Sequence, residues 1–365
     1  MTKFAFLIHP LAARDVARKY PIARFLPDHV IEAGLRWMKP KYVSRITGIR
    51  SKTGAETEGC FIGLPFTPRQ MVRGLAPEVV YRRIVQCAEL AAREGAEIIG
   101  LGAFSSVVGD GGITVASRSP IAVTTGNSFT VATAIMGTER ACAMLDVNLA
   151  DATLAVVGAT GSIGKTCAQV LGKSFGRTIL VGRDLGRTQE VAAQLGFGEA
   201  TVDVASIETA DAVITVTSSE ESDVVRPEHL RAGAVVCDVA RPRDVSVRVA
   251  KERPDVLVIE GGVVKVPGNV EFGFNFGFPP QTAYACMSET MMLALEGRLE
   301  NFTLGKDVSV AQVEETIRLA EKHGFELAGF RSFESAVTEE AIDRARKARR
   351  LGRKGMNFSA FASGA

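Results

Sequence analysis

Short apolar runs recur through the middle of the chain and predict the strands of a parallel sheet. From Thr153 onward they read TLAVVG, TILVG, DAVITVT, AVVCDVA and DVLVIEGG, with helical or loop segments between them. Strands buried on both faces are continuously apolar, and their alternation with helices is typical of a doubly wound α/β fold. The pattern therefore predicts a domain with such a sheet over residues 151–278.

The first part of the chain also alternates strand and helix patterns. KFAFLIH predicts a strand, and PEVVYRRIVQCAELAAREG has apolar residues every three or four positions, which predicts a helix that stops at Gly95. AEIIGLGAF and IAVTTGNSFT each predict a short strand, the second followed by a helix from about Ser128. We interpret residues 1–128 as an α/β substrate-binding domain and residues 129–150 as a connecting helix.

Small and hydroxylic residues follow both of these short strands and predict the rim of a substrate pocket. Small side chains allow a ligand to approach the backbone, and loops at strand ends commonly carry function. The alternative is that both segments are only tight turns between a strand and a helix. The candidate rim residues are Gly102, Phe104, Ser105, Ser106, Thr125, Gly126 and Asn127.

The C-terminal part of the chain is predicted to be helical. Residues 279–330 form a helical segment that carries Cys286, after a loop rich in Gly, Phe and Pro. In residues 331–365, TEEAIDRARKARRLGRKG places acids before bases, an order that suits the helix dipole. The end of the chain, MNFSAFASGA, is predicted to be disordered.

Composition and charge narrow the class of protein. The chain has 365 residues, 46% of them hydrophobic and 23% charged, and its net charge of +2 gives no basic field for nucleic acid. The cysteines show no paired spacing and the sequence has no His cluster, so we expect free thiols and neither disulfides nor a metal site. No apolar run reaches the roughly 18 residues of a membrane span, and the N-terminus lacks a signal-peptide pattern. We therefore expect a cytoplasmic protein.

A glycine-rich loop, AVVGATGSIGKT, follows the first strand of the predicted parallel sheet and has two interpretations. Gly158, Gly161 and Gly164 lie between a strand and a helix, the context of a dinucleotide (Rossmann) fingerprint. The segment 159–166 also approximates a Walker-type phosphate loop with alanine for its first glycine, and AVVCD, ending at Asp238, resembles its partner strand. We favour the dinucleotide, because Gly158 lies at the strand end.

The end of the second strand indicates which dinucleotide binds. VGRDLGR places Arg183 and Arg187 where this fold contacts the adenosine ribose, and arginine suits the 2′-phosphate of NADP. Asp184 is the rival residue, which would favour NAD if it faced the ribose. We predict NADPH as the cofactor, with binding residues Gly158, Thr160, Gly161, Ser162, Ile163, Gly164, Arg183, Arg187 and Thr217.

Cys286 follows Pro279 and Pro280, in the first or second turn of a predicted helix. The positive end of the helix dipole stabilises a thiolate there. Cys286 shares a helical stripe with Glu289, beside the stripe predicted to face the core. Most helical cysteines are core residues, but a thiolate beside NADPH can capture an acyl group as a thioester. The predicted core stripe consists of Tyr284, Met287, Met291 and Leu295.

Taken in order, the motifs resemble the long-chain acyl-[acyl-carrier-protein] reductases, best known from cyanobacteria, which reduce acyl-carrier thioesters to fatty aldehydes with NADPH. The matching pieces are LGAFSS, TTGN, LAVVGATGSIG, GR with a second arginine, GGVV, ACMSETMMLALEG and NFTLG, over roughly residues 3–330. The resemblance implies that Cys286 is the acylated cysteine and that the glycine loop and both arginines contact NADPH. Glu289 also falls on an acid of that family.

The resemblance also implies an acyl donor, either acyl carrier protein or acyl-CoA, and a downstream enzyme that consumes the aldehyde. Glu289 is a candidate proton shuttle, and Asn127, Ser105 and Ser106 are candidate oxyanion donors. A cluster of basic residues is a candidate docking site for an acidic carrier, with a solvated charge run as the alternative. That cluster is Arg346, Arg349 and Arg350.

Three other functional classes stay open. A dehydrogenase of the shikimate or quinate type needs no thiol, and a non-catalytic NADP-binding sensor would bind the cofactor without acylation. The Walker interpretation implies Mg-ATP binding that depends on Lys165.

Overall fold

The computed structural model describes residues 1–10, 12–18, 21–219, 223–240, 242–275 and 277–359. The chain divides into two compact units, one of Met1–Phe129 with Val264–Glu326 and the other of Thr130–Val263 with Leu327–Ala365. Residues 264–326 thus group with the N-terminal part of the chain, and the unit boundaries differ from those drawn from the sequence. The functional roles predicted for the domains stay predictions.

The strands and helices follow the chain in mixed order. The strands are β1 (Lys3–Ile8), β2 (Lys41–Arg50), β3 (Glu56–Gly63), β4 (Ile98–Gly100), β5 (Ala122–Thr124), β6 (Thr153–Val157), β7 (Arg177–Val181), β8 (Glu199–Thr201), β9 (Ala212–Thr215), β10 (Val235–Asp238), β11 (Leu257–Glu260), β12 (Val263–Lys265), β13 (Gly268–Glu271), β14 (Thr282–Tyr284), β15 (Glu326–Leu327), β16 (Arg331–Ser332) and β17 (Ser335–Ala336). The helices are α1 (Asp28–Trp37), α2 (Pro77–Arg93), α3 (Ile113–Arg118), α4 (Asn127–Met144), α5 (Ser162–Leu171), α6 (Leu185–Leu195), α7 (Val247–Glu252), α8 (Ala285–Glu296), α9 (Val310–His323) and α10 (Glu339–Ser359).

The second unit contains a six-stranded sheet in the order β11-β10-β9-β6-β7-β8, and every neighbouring pair is parallel. Counted along the chain, this is the 3-2-1-4-5-6 order of the dinucleotide-binding fold. The predicted doubly wound parallel sheet is confirmed. The order reverses between β6 and β9, so the loop after β6 lies at the position where such folds bind ligands.

The first unit contains a mixed six-stranded sheet in the order β13-β2-β3-β1-β4-β5. Strands β3, β1, β4 and β5 are parallel, whereas β2 and β13 add an antiparallel edge that the apolar pattern does not predict. The predicted N-terminal α/β architecture is therefore present. A separate short sheet has the order β14-β12-β15.

Helix α2 illustrates how the apolar pattern builds the core of the first unit. Val80, Ile84, Cys87 and Ala91 are fully buried and recur every three or four residues, as the pattern predicts. Burial of a side chain such as Ile84 contributes about 1.5–3 kcal/mol. The helix stops where expected, because Gly95 adopts a φ of +87°.

Two predictions for the C-terminal part need correction. Helix α10 continues to Ser359, so the first residues of the predicted disordered tail are helical, and the remaining tail residues lie outside the described part of the chain. Pro279 and Pro280 do not begin the cysteine helix, because β14 intervenes before Ala285.

The basic cluster on α10 is largely engaged within the second unit. Arg349 is buried, and its Nη1 donates to Asp211 Oδ1 at 2.7 Å, so the prediction of a surface arginine there is wrong. Arg346 and Arg350 also have acidic partners, Asp343 and Asp146 respectively. The buried ion pair of Arg349 attaches α10 to the parallel sheet, because Asp211 also accepts the backbone N–H of Thr153.

Candidate active site

The loop after β6 has the geometry of a phosphate-binding turn. Gly158 adopts a φ of +89°, and a Cβ placed there would lie 2.6 Å from the carbonyl oxygen of Val216. A Cβ on Gly164 would lie 2.3 Å from the carbonyl oxygen of Gly158. Both positions therefore require glycine, the first for the turn and the second for the close approach of α5 to the strand.

The N-terminus of α5 is open to an anion. The first backbone bond of this helix runs from Lys165 N to Gly161 O, so the N–H groups of residues 162–164 precede it and need other acceptors. Gly161 supplies no side-chain cap, and Thr160, Ser162 and Ile163 are half-buried. A pyrophosphate fits such a helix start, since its charge complements the dipole.

The contacts disfavour the Walker interpretation of the same loop. The hydroxyl that would hold Mg²⁺ belongs to Thr166, which is buried and donates to Ser162 O at 2.9 Å. Asp238 is fully buried and accepts the backbone N–H groups of Ala240 and Val245. Both side chains thus make hydrogen bonds within the protein, where a Walker site would use them to bind Mg²⁺.

The end of β7 places two arginines at the surface. Arg183 and Arg187 are exposed, as an arginine that meets a 2′-phosphate must be. Asp184 instead accepts the backbone N–H of Arg187 at 2.9 Å and caps α6. Because this carboxylate already has a partner in the fold, the arginines are better placed than Asp184 to select the cofactor.

A buried carboxylate positions the loop after β9. Asp244 is fully buried, and its Oδ2 accepts from Thr215 Oγ1 at 2.6 Å and from the Thr217 N–H at 2.8 Å. Its Oδ1 accepts from Thr217 Oγ1 at 2.5 Å. Thr217, a predicted cofactor residue, is thus held beside Val216, whose carbonyl lies against Gly158. No motif in the sequence points to Asp244.

Cys286 differs from the other cysteines in its exposure. All six lie in the described part of the chain, and only Cys286 is half-buried while the rest are buried. Burial raises the pKa of the Cys60 thiol to about 11 and that of Cys142 to about 12, and it raises the pKa values of Cys87 and Cys167 further. Thiolate chemistry is therefore available at Cys286 in preference to these four.

The position of Cys286 follows from the start of α8. The helix begins at Ala285, so Cys286 occupies its first turn, as predicted, at the positive end of the dipole. The N-cap residue, Tyr284, provides no side-chain hydrogen bond. The backbone N–H groups of this turn and the thiol thus occupy the same helix end, which favours a negative charge on sulfur.

Gly126 lies directly against Cys286. It has a φ of +76°, and a Cβ placed there would lie 2.3 Å from both Cα and Cβ of Cys286. Only glycine allows the loop after β5 to approach the cysteine so closely. Among the predicted rim residues, Gly126 is thus brought by the fold against the backbone and Cβ of Cys286.

Glu289 lies one turn after Cys286 and is completely buried. Its Oε1 accepts from Thr124 Oγ1 at 2.5 Å and from Thr303 Oγ1 at 3.1 Å, and its Oε2 accepts from the Phe129 N–H at 2.9 Å. Burial raises the pKa of this carboxyl, against the opposing effect of these hydrogen bonds. The expectation that Glu289 lies off the core is therefore wrong. Its contacts favour a role in holding the loop after β5 over a role in moving protons.

The candidate oxyanion donors differ in their hydrogen bonding. Ser105 Oγ donates to Gly102 O at 2.8 Å, and Ser106 Oγ donates to Ala103 O at 2.7 Å. Both hydroxyl protons are therefore used in hydrogen bonds within the local turn. The side chain of Asn127 has no hydrogen-bond partner within the described residues. Asn127 therefore remains the better candidate donor.

The remaining predicted rim residues have structural contacts. Thr125 Oγ1 donates to Thr303 O at 2.5 Å, Phe104 is buried, and a Cβ on Gly102 would lie 2.8 Å from the ring of Phe6. These contacts favour the tight-turn interpretation for residues 102–106. The substrate role of these residues stays a prediction.

Sequence reasoning did not select Thr124, Thr303 or Asn301. Thr124 and Thr303 bind the Glu289 carboxylate, and Asn301 Oδ1 accepts the Val123 N–H at 2.9 Å. All three occur inside the quoted motifs TTGN and NFTLG, which was the available signal. Their contacts join the end of β5 to the segment after α8.

The chain is similar to a known protein family over part of its length and to individual proteins over most of its length. Residues 139–260 match the shikimate / quinate 5-dehydrogenase family. The chain is 31% identical over 358 residues to an aminotransferase, PigE, of a Serratia species, and the match covers 93% of the chain. Since it covers 41% of that protein, the chain spans about two fifths of its length.

A second relative matches over almost its whole length. The chain is 28% identical over 332 residues to the long-chain acyl-[acyl-carrier-protein] reductase of Synechococcus elongatus, covering 86% of the chain and 94% of that protein. Among solved structures, shikimate 5-dehydrogenase of Thermus thermophilus is 12% identical to this chain, with a TM-score of 0.37. The match covers 71% of this chain and 85% of the Thermus protein.

Two further features of the described residues bear on the class of site. They contain no group of three or more His, Cys, Asp and Glu side chains arranged to hold a metal ion. Of the helices in the described ranges, none is both long and apolar enough to cross a membrane.

We expect iodoacetamide at neutral pH to label Cys286 in the native protein at least about tenfold faster than Cys60, because burial suppresses the Cys60 thiolate. Peptide mass mapping after brief exposure measures the rates. Cys286→Ser should leave the native protein almost unlabelled and should take up label elsewhere only after unfolding. Comparable labelling of Cys60 and Cys286 in the native protein would contradict the assignment.

Substitution of Glu289 should reveal its buried charge. A carboxyl whose pKa is raised on folding binds its proton more tightly in the folded state, so it lowers stability as pH rises above its ordinary value of 4.5. Relative to the wild type, Glu289→Gln should therefore gain free energy of unfolding as pH rises from about 4 to 7. Glu289→Ala should lower the free energy of unfolding by about 3 kcal/mol, because the buried donors of Thr124, Thr303 and Phe129 would lose their acceptor.

Urea denaturation at several pH values measures these differences. Glu190→Gln, on an exposed position of α6, is the control and should follow the wild type at every pH. Parallel curves for wild type and Glu289→Gln would show that this carboxyl does not titrate differently on folding.

Proposed function

We propose that this protein is an NADPH-dependent reductase of acyl thioesters and that it releases a long-chain fatty aldehyde. The observation that carries the proposal is the placement of Cys286. It is the one half-exposed cysteine of the chain, it occupies the first turn of α8, and the loop at Gly126 closes on it. Similarity over 86% of the chain to a protein named as an acyl-[acyl-carrier-protein] reductase supports the proposal.

Cys286 is the nucleophile in this proposal. Its thiolate attacks the carbonyl carbon of the acyl thioester, a new carbon–sulfur bond forms, and the bond to the donor's sulfur breaks. The donor leaves as a thiol after taking up the proton that Cys286 lost, and the acyl group stays on the enzyme as a thioester. The dipole of α8 lowers the cost of forming the thiolate.

The side-chain amide of Asn127 is proposed to stabilise the oxygen of the acyl group. The Asn127 amide makes no hydrogen bond within the described residues, and the preceding residue, Gly126, lies against Cα and Cβ of Cys286. Charge on that oxygen grows during the attack, and a fixed donor stabilises it without reorganisation. Glu289 is proposed to act through position, because its carboxylate fixes the loop that carries both residues.

The cofactor is proposed to bind along the loop after β6. The N–H groups of Ser162, Ile163 and Gly164 would donate hydrogen bonds to the pyrophosphate. Arg183 and Arg187 would bind the 2′-phosphate. Thr217 would line the side of the site next to Gly158. NADPH supplies, when bound, the hydride that reduces the acyl carbon. Cys286 then leaves as a thiolate and the aldehyde is freed, so the enzyme returns to its starting state.

The acyl donor is proposed to be an acyl carrier protein, with acyl-CoA as the alternative carrier of the same thioester. Both release a thiol when Cys286 is acylated, and an enzyme that consumes aldehydes would act next. The aminotransferase activity in the name of the Serratia relative is not extended to this chain, because the match covers 41% of that protein.

A second candidate function is a dehydrogenase of the shikimate or quinate type. The match of residues 139–260 to that family favours it, although the match covers about one third of the chain. Such an enzyme would oxidise a cyclic hydroxy acid with NADP, and Cys286→Ala would leave its rate unchanged. A Cys286-dependent aldehyde product distinguishes the two functions.

Intact mass should show one acyl group added when the protein is mixed with a long-chain acyl-CoA or acyl carrier protein in the absence of NADPH. Cys286→Ala should show no adduct, and Cys60→Ala, which removes a buried thiol, should behave as the wild type. Addition of NADPH should discharge the adduct as aldehyde. If neither donor acylates a protein that still binds NADPH, the dehydrogenase or the non-catalytic sensor is the better account.

Removal of the two arginines should change the choice of cofactor. We expect the double variant Arg183→Ala/Arg187→Ala to weaken NADPH binding by about tenfold or more and to leave NADH binding nearly unchanged, because the arginines meet only the 2′-phosphate. Titration of nicotinamide fluorescence measures both affinities. Arg177→Ala, whose guanidinium pairs with Glu199, is the control. Equal losses for both cofactors would contradict the assignment.

A further inference from the structure

Exposed apolar side chains concentrate in one short segment of the first unit. Of the sixteen large hydrophobic residues exposed in the described part of the chain, six lie between positions 22 and 42. Trp37 is 85% exposed, Phe25 73% and Ile22 72%. We call this segment, residues 21–42, the apolar–basic patch. Its exposed apolar residues are Ile22, Phe25, Leu26, Val30, Trp37 and Tyr42.

Helix α1 explains why these side chains are not part of a core. It buries Ile31 and Leu35 in a small cluster with Ala13 and Ala23, so the inward face of the helix is already occupied. Val30 and Trp37 are seven residues apart and therefore lie on one common face of the helix. Both are exposed, so α1 has a second apolar side that the described residues do not cover.

The charge of the patch is basic. Arg24, Arg36, Lys39 and Lys41 are exposed within it, against two acids, Asp28 and Glu32. Glu32 is already paired with Arg69. Arg24, Arg36 and Lys39 have no acidic partner among the described residues. The guanidinium of Arg24 lies 4.6 Å from the centre of the Phe25 ring, which places a charge and an apolar group side by side.

We propose that the apolar–basic patch binds the surface of an anionic lipid bilayer. Aromatic and aliphatic side chains enter the boundary between headgroups and acyl chains, while arginine and lysine meet the anionic headgroups. The patch combines apolar and basic side chains. Lysine, which is depleted in protein–protein interfaces, supplies two of its four positive charges. Binding of this kind lies on the membrane and needs no spanning helix. The proposal is independent of the acyl-thioester chemistry at Cys286.

Trp37 makes the test direct because it is the only tryptophan of the chain. Its fluorescence therefore reports on the patch alone. With vesicles of phosphatidylcholine and phosphatidylglycerol, we expect a saturable blue shift of the emission and co-sedimentation of the full chain. Pure phosphatidylcholine vesicles, or high salt with the anionic ones, should reduce the apparent affinity by about tenfold.

Variants separate the two contributions and retain the reporter. Phe25→Ser should weaken binding by about fivefold to tenfold, and the double variant Arg36→Glu/Lys39→Glu by at least about tenfold. Val247→Ser is the matched control, because this residue is 60% exposed but lies in the second unit, and it should bind as the wild type. All substituted side chains are exposed, so native circular dichroism is expected throughout.

Four outcomes would overturn the proposal. They are the absence of both shift and co-sedimentation, equal binding to neutral and anionic vesicles, a shift that depends on protein concentration without lipid, and a shift caused by an acidic carrier protein but not by vesicles. The third would identify a self-association face, and the fourth a protein-docking face. Because no readout involves turnover, failure here would not bear on the proposed reductase activity.

Discussion

The buried carboxylate of Glu289 is the interaction on which the candidate active site depends. It accepts hydrogen bonds from Thr124 at the end of β5, from Thr303 after α8, and from the Phe129 N–H at the start of α4. A buried, ionisable group is costly unless donors surround it, so these partners are constrained to stay in place. The constraint fixes the loop that contains Gly126 and holds it against Cys286.

The second unit uses the same physical device. Asp244 is fully buried and accepts from two threonine hydroxyls and one backbone N–H at the end of β9. Its loop lies against Gly158, as the Glu289 loop lies against Cys286. In each unit a buried acid thus fixes a loop at the carboxyl end of a parallel strand, where such folds place their ligands. Rigid support of this kind is what a binding site on loops requires.

Access to solvent, more than sequence position, distinguishes the six thiols. Cys87 and Cys167 lie on apolar helix faces and are fully buried, whereas Cys286 lies at the helix start and stays half-exposed. A reactive thiol needs both a stabilised thiolate and a path for the substrate, and Cys286 alone of the cysteines meets the second condition in the described structure.

The sequence by itself determined the parallel sheet of the second unit, the face of α2 and the glycine turn at Gly158. These features rest on local rules: continuous apolar runs, helical periodicity and the backbone freedom of glycine. Only the tertiary structure decided that Glu289 is buried, that Arg349 is an internal ion-pair partner, and that the serines at 105 and 106 bond within their own turn. The reason is that the identity of a polar residue does not indicate which residue it will hydrogen-bond or pair with in the folded protein. Thr303 and Thr124 are far apart in sequence, and folding alone brings their hydroxyls to one carboxylate.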